Sequence, residues 1–285
     1  MTGTDQMTAK EICAGNRAEM EENMRFGCCI SMNAEDEIGE KRIRFLADAG
    51  YDYFEAPMVS LMNLSGEQIE KLLSVIGECK IGCECANVFF PGTLRLTGET
   101  VNREQFEDYV TKALALAGRL GVKIVVFGSA GAKNIPEGFP YEKAYEQLVD
   151  ELKFIDREAV RNGVTIAIEP LNRKESNFIV SLKEGHELVH AADFSNIRLL
   201  ADFYHFNREK DELRWLTDYK EDLVHIHIAN PSDRTFPTKP LPEFDEFFAE
   251  LKKAGYDARV SVEAGTKDFE ADAKEFIRMA RERYS

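Results

Sequence analysis

Apolar positions along this chain follow two alternating periods. Short runs rich in Val, Ile and Phe have strand character, and each is followed by a longer stretch whose apolar residues return every three or four positions. Eight such runs stand out: 25–32, 51–58, 80–90 and 122–130, then 164–170, 197–205, 223–231 and 258–265. Gly50, Gly121, Gly163 and Gly255 each lie just before a run, where a left-handed residue ends a helix. The stretch 102–120 opens on Asn102 as a cap and sets Phe106, Val110, Leu114 and Ala117 on one face. The last stretch, 268–284, begins at Asp268 and carries Arg281 and Arg283 where the helix dipole favours cations. Eight βα units with no linker between them predict an α/β fold, a (β/α)8 barrel over residues 25–285 after an N-terminal arm of residues 1–24. Such barrels use about 250 residues in one domain, so the length does not call for two.

Loop length points to the functional end. The segments 128–140 and 230–244 follow the fourth and seventh strands and are long and turn-rich, whereas the turns leading into strands are short. Barrel enzymes build their sites on the loops after the strands.

Composition narrows the function. Lys and Arg number 36 against 51 Asp and Glu, a net charge of −15, which weighs against nucleic acid and against anionic membrane surfaces as partners. No run reaches the roughly 18 apolar residues of a membrane span. Residues 1–24 hold five acidic and two basic side chains and no apolar stretch of the secretory kind, so a cytoplasmic protein is expected. The six cysteines show no C-x-x-C pattern and are read as reduced and structural.

Alternation along the later strands brings ionisable residues to one rim, because a strand presents its two faces with period two. In the fifth run Val164, Ile166 and Ile168 pack outwards, while Thr165, Ala167 and Glu169 face the barrel. In the sixth, Leu199 and Ala201 face out, Leu200 and Asp202 in. In the seventh, Val224, Ile226 and Ile228 face out, His225 and His227 in; in the eighth, Val260 and Val262 face out, Ser261 and Glu263 in. Glu169, Asp202, His227 and Glu263 would then meet at the mouth. Desolvating three carboxylates together costs several kcal/mol without a counter-charge, which a divalent cation supplies. Three carboxylates and one imidazole suit Mn²⁺, with Mg²⁺ or Co²⁺ as alternatives. His225, one layer deeper, is read as a supporting or core residue.

The segments IAIEPLNRKES (166–176), LLADFYHFN (199–207), LVHIHIANPSDR (223–234) and VSVEAG (260–265) resemble the xylose isomerase-like family of sugar isomerases and epimerases. Within it they are most similar to ketose 3-epimerases of the tagatose/allulose type. The resemblance implies the same four metal ligands, and substrate-binding roles for Glu175, His205 and Arg234. Arg234 stands seven rather than six residues after His227, Ala229-Asn230 replace the usual Gly-Glu, and Ala-Gly follows Glu263. These departures bear on the substrate, not on the fold or the metal.

The expected activity is a metal-dependent epimerisation of a ketose at C3. Glu169 and Glu263 are the catalytic pair, one removing and the other returning a proton beside the carbonyl through an enediolate. Alternatives on the same site are a hydroxypyruvate-type isomerase, an inosose-type dehydratase or a lyase on an oxidised sugar conjugate. An endonuclease IV-like nuclease and a non-catalytic sugar-binding subunit are remote, the first because five histidines are few for several metals. A small carbohydrate is the expected ligand, and a homo-oligomer, dimer or tetramer, the expected assembly. Glu55 at the second strand is assigned equally to substrate contact or to structure. Lys133, Asn134 and Glu137 are read first as solvated loop, Trp215 and Tyr219 as core or interface. Gly128 and Gly131 lack the lysine and spacing of a phosphate loop.

Overall fold

The computed structural model describes residues 24–284. Eight strands run in parallel and close on themselves in sequence order: β1 Arg25–Cys29, β2 Tyr53–Pro57, β3 Gly82–Asn87, β4 Ile124–Phe127, β5 Thr165–Ile168, β6 Ile197–Asp202, β7 Leu223–Ile228 and β8 Arg259–Val262. Helices between them cover the outside, giving the expected (β/α)8 barrel. The N-terminal arm falls almost wholly outside the described residues. No described helix is long and apolar enough to cross a membrane.

Helix ends follow the local chemistry. Asn102 caps the helix Arg103–Leu120 by accepting from the Gln105 N–H, and Gly121 closes it at φ 79°. Phe106, Val110, Leu114 and Ala117 are buried on its inner face. Gly50 and Gly163 close their helices in the same left-handed way. The helix Pro242–Lys253 instead ends on Ala254, one residue ahead of Gly255.

Two apolar layers result. The larger lies between strands and helices and includes Ile166, Ile168, Leu199, Ala201, Ile226, Ile228, Val260 and Val262. The smaller fills the barrel with Tyr53, Cys85, Ile124, Val126, Ala167 and Leu200. Gly27 makes room for Tyr53, since a Cβ there would stand 2.2 Å from the ring. The Tyr53 hydroxyl reaches Ser261 Oγ across the interior at 2.9 Å. The outward placement of Val224 is corrected: it packs against the interior cluster. The register between β6 and β7 slips at this point, with Leu199 opposite Leu223 but Leu200 opposite His225. A one-residue irregularity changes the face of the residue it skips.

Candidate functional site

Four strand ends converge at the mouth. Asp202 ends β6, His227 is the penultimate residue of β7, and Glu169 and Glu263 follow β5 and β8 by one residue. One ligand-competent atom of each lies within 4.8 Å of those of the other three. Glu169, Asp202 and His227 are buried, and Glu263 is partly open to the mouth. The inward alternation read from β5 to β8 therefore brings these four side chains together.

Each is aimed by a distinct neighbour. Asp202 caps the helix Phe203–Glu209, its Oδ1 accepting the Tyr204 and His205 N–H groups at 2.6 and 3.2 Å and leaving Oδ2 toward the cluster. His227 Nε2 lies 3.0 Å from Glu55 Oε1, and His225 Nε2 lies 2.9 Å from Glu55 Oε2. Glu55 is fully buried. Burial alone would raise its pKa, but His227 and His225 hold it well below the usual carboxylate range. An ionised Glu55 takes the Nε2–H of His227, which leaves Nδ1 as the ring atom turned to the cluster. Nδ1 faces Glu169 Oε1 at 3.4 Å and Glu263 Oε2 at 3.8 Å.

The electrostatics match a cation. Burial, with the Glu263 and Asp202 charges, outweighs His227 and raises the Glu169 carboxyl above its ordinary range. Asp202 is instead held low, since the His205, His227 and Arg234 charges outweigh its burial. Burial would depress His227, but Glu55, Glu263 and Glu169 pull it well above an ordinary imidazole. Glu169 Oε1 and His227 Nδ1 are buried without a hydrogen-bond partner among the described residues. Two orphaned donor atoms beside two further carboxylates fit a divalent ion, which would satisfy both and relieve the crowding of negative charge.

Around this quartet lie groups suited to a polyhydroxylated ligand. His205 Nδ1 is engaged by the Asn172 side chain at 2.8 Å and by the Asn172 backbone N–H at 3.2 Å. Its Nε2 thus carries the hydrogen and is buried with no partner among the described residues, a donor aimed at the site. The Asn172 amide also donates to Glu175 Oε1 at 2.8 Å. Arg234 donates to Glu175 Oε2 at 3.1 Å and to Glu263 Oε2 at 2.6 Å, with its guanidinium 5.0 Å from the Tyr204 ring centre. Its backbone is left-handed, φ 57°, so the altered loop 229–234 still turns this side chain into the mouth. Glu175, His205 and Arg234 therefore border the quartet.

Other residues stand differently from the reading of the sequence. Lys133 is no solvated loop residue. It is 1% exposed and donates to the Glu169 carbonyl at 3.0 Å; burial lowers its pKa to about 8, against the pull of Glu169. A short helix, Ala130–Lys133, folds it inwards. Asn134 accepts from Ser176 Oγ at 2.6 Å and so pins the loop after β5, while Glu137 is exposed as expected. Asn87, at the end of β3, donates to Glu263 Oε1 at 2.8 Å. Gly128 makes space: a Cβ there would fall 2.1 Å from Glu169 Oε2. Asn87, Asn172 and Gly128 were not singled out as members of this site. Period-two alternation on β3 was the available signal for Asn87, which falls on the inner face with Cys85. Trp215 and Tyr219 pack partly buried against the core.

Residues 43–283 match the family described as xylose isomerase-like TIM barrel. The 3-dehydro-D-guloside 4-epimerase of Escherichia coli (strain K12) is 25% identical over 232 residues, 78% of this chain and 86% of that protein. A probable ketose 3-epimerase of Synechocystis sp. is 28% identical over 146 residues, 50% of this chain and 49% of that one. The structure of D-psicose 3-epimerase from Clostridium cellulolyticum H10 with D-tagatose superposes with a TM-score of 0.80 at 20% identity, over 92% of this chain and all of that one.

Proposed function

The chain belongs to the xylose isomerase-like TIM barrel family, and we propose on that premise that it is a metal-dependent sugar epimerase inverting a carbon next to a carbonyl, with C3 of a ketose as the first assignment. The observation that carries this reading is the convergence of Glu169 and Glu263, from strands three apart around the wall, on one cluster with Asp202 and His227.

Glu169, Asp202, His227 and Glu263 would hold a divalent ion, Mn²⁺ first and Mg²⁺ or Co²⁺ otherwise, which would supply Lewis acidity at a carbonyl oxygen. Glu169 takes the proton from the neighbouring carbon. Its position after β5, buried beside Glu263 and Asp202, sets it at the mouth where the substrate carbon would lie. Glu263 returns a proton to the opposite face, so the centre inverts with no net change in atoms or electrons. Arg234 and Asn87 hold Glu263 from two sides, and the Lys133 ammonium fixes the backbone of Glu169. His205 Nε2–H donates to a substrate oxygen, and Glu175 with Arg234 binds hydroxyls farther out. Acid–base catalysis of this type contributes about 10²–10⁴-fold.

A second reading keeps the chemistry and changes the sugar. The E. coli 4-epimerase matches over a larger share of this chain than the ketose 3-epimerase does, and the loop 229–234 departs from the ketose-epimerase pattern. An oxidised glycoside inverted at C4 fits both facts. The test is incubation of the Mn²⁺-loaded protein in deuterated water with a panel of free ketoses and 3-keto-glycosides. Deuterium at C3 of a ketose supports the first reading and at C4 of a keto-glycoside the second. Exchange into none of the panel overturns both.

A further inference from the structure

A second group of metal-competent side chains lies at the other end of the barrel. Asp222 immediately precedes β7, His186 sits in the last turn of the helix Leu182–Val189, and His190 caps that helix. All three are where strands begin, away from the rim on which Glu169, Asp202, His227 and Glu263 meet. His186 Nδ1 and His190 Nε2 approach the same oxygen, Asp222 Oδ2, at 2.7 and 2.9 Å. One ligand-competent atom of each lies within 4.8 Å of the other two. Over 186–190 the chain reads H-E-L-V-H, and the i, i+4 spacing sets both imidazoles on one helix face.

His186 and Asp222 are held in place before any ion arrives. Tyr219 stacks on His186 with 3.9 Å between ring centres and 8° between planes. The Asp222 N–H donates to the Tyr219 carbonyl at 3.0 Å, and its own carbonyl accepts the Leu199 N–H at 2.9 Å. Among the described residues, the ion-pair partners of Asp222 are these two imidazoles.

We propose that His186, His190 and Asp222 bind a divalent transition-metal ion of the zinc type, independently of the barrel mouth. Two imidazole nitrogens and one carboxylate oxygen are a borderline donor set, which suits zinc, where the oxygen-rich quartet suits a harder ion. Ligand atoms around tetrahedral zinc, with bonds of about 2.0–2.1 Å, stand roughly 3.3 Å apart. The rings therefore retreat from Asp222 Oδ2 by about half an ångström, which His190, with 59% of its side chain exposed, is free to do. Any proton on His186 Nδ1 or His190 Nε2 leaves to solvent as the ion binds. The ion then ties the end of this helix to the start of β7. Glu187, between the histidines, is exposed and lies 3.8 Å from Lys183.

The chain has five histidines, so their ring nitrogens are resolvable by NMR. Zn²⁺ is titrated into the untagged, Mg²⁺-loaded protein near neutral pH, Mg²⁺ being diamagnetic. The expected result is that His186 Nδ1 and His190 Nε2 shift with one equivalent of ion. His190→Ala and Asp222→Asn then each bind one zinc fewer per chain than the wild type, and lose the rise in thermal midpoint that zinc gives it. Both variants keep wild-type proton exchange into the sugar. Unmoved His186 and His190 resonances in excess zinc, or equal zinc counts in wild type and His190→Ala, overturn the proposal. A failure of the mouth reading shows at His227 instead, so the two are separable.

Discussion

The two halves of the barrel wall are built on the same alternation but do different work. From β5 to β8 every strand end presents an ionisable side chain to the mouth: Glu169, Asp202, His227 and Glu263. From β2 to β4 the corresponding positions approach those groups from behind or beside. Glu55 engages His227, Asn87 donates to Glu263, Gly128 leaves room for Glu169, and Lys133 in the following turn fixes its carbonyl. One half presents the ionisable groups and the other orients them. A rim of carboxylates is therefore only part of a site; the rest lies in groups that restrict which atom of each side chain faces inward.

This division can be broken from either side. The largest effect is expected in the presenting half: Glu169→Gln and Glu263→Gln each lower turnover by at least about 10²–10⁴-fold, read as deuterium exchange with circular dichroism unchanged. Substantial exchange in either, with metal still bound, would sink the role given to it. In the orienting half, Gly128→Ala drives a methyl group into Glu169 Oε2 and displaces the carboxylate. A misplacement of about 1 Å costs on the order of 10²-fold, so kcat should fall by that order with Tm little changed. Glu55→Gln weakens the hold on the His227 tautomer and lowers metal affinity by about 10–100-fold, measured by competition with a chelator. Asn87→Ala removes one of two donors to Glu263, and Arg234 retains the carboxylate. Its expected cost is about tenfold or less in kcat/KM, equivalent to roughly 1 kcal/mol. A loss in Asn87→Ala as large as in Glu263→Gln would erase the distinction between the halves.

The presenting half was legible because its signal is local. An acidic or histidine residue in phase with the inner face of a strand is visible in a window of six residues, as with Ala167 and Glu169 or His225 and His227. The same rule failed at Val224, where pairing with β6 skips a residue and turns the side chain inward. It was also silent on Lys133, whose turn-rich surroundings read as solvated until the short helix Ala130–Lys133 carries it under Glu169. Glu55 could be placed on its strand, but its bridge to His225 and His227 spans 170 and 172 residues of chain.

The sequence by itself therefore determined the eightfold repeat, the elaborated end of the barrel and the four side chains that share its rim. Each follows from a period or a cap within a few residues. Tertiary structure alone decided which atom of each faces the centre, which groups are left without a partner, and that Asp222 meets two histidines at the opposite end. Those outcomes depend on closure of the barrel, which brings residues far apart in the chain within hydrogen-bond distance. No local pattern encodes a contact whose partner is set by the curvature of the whole sheet.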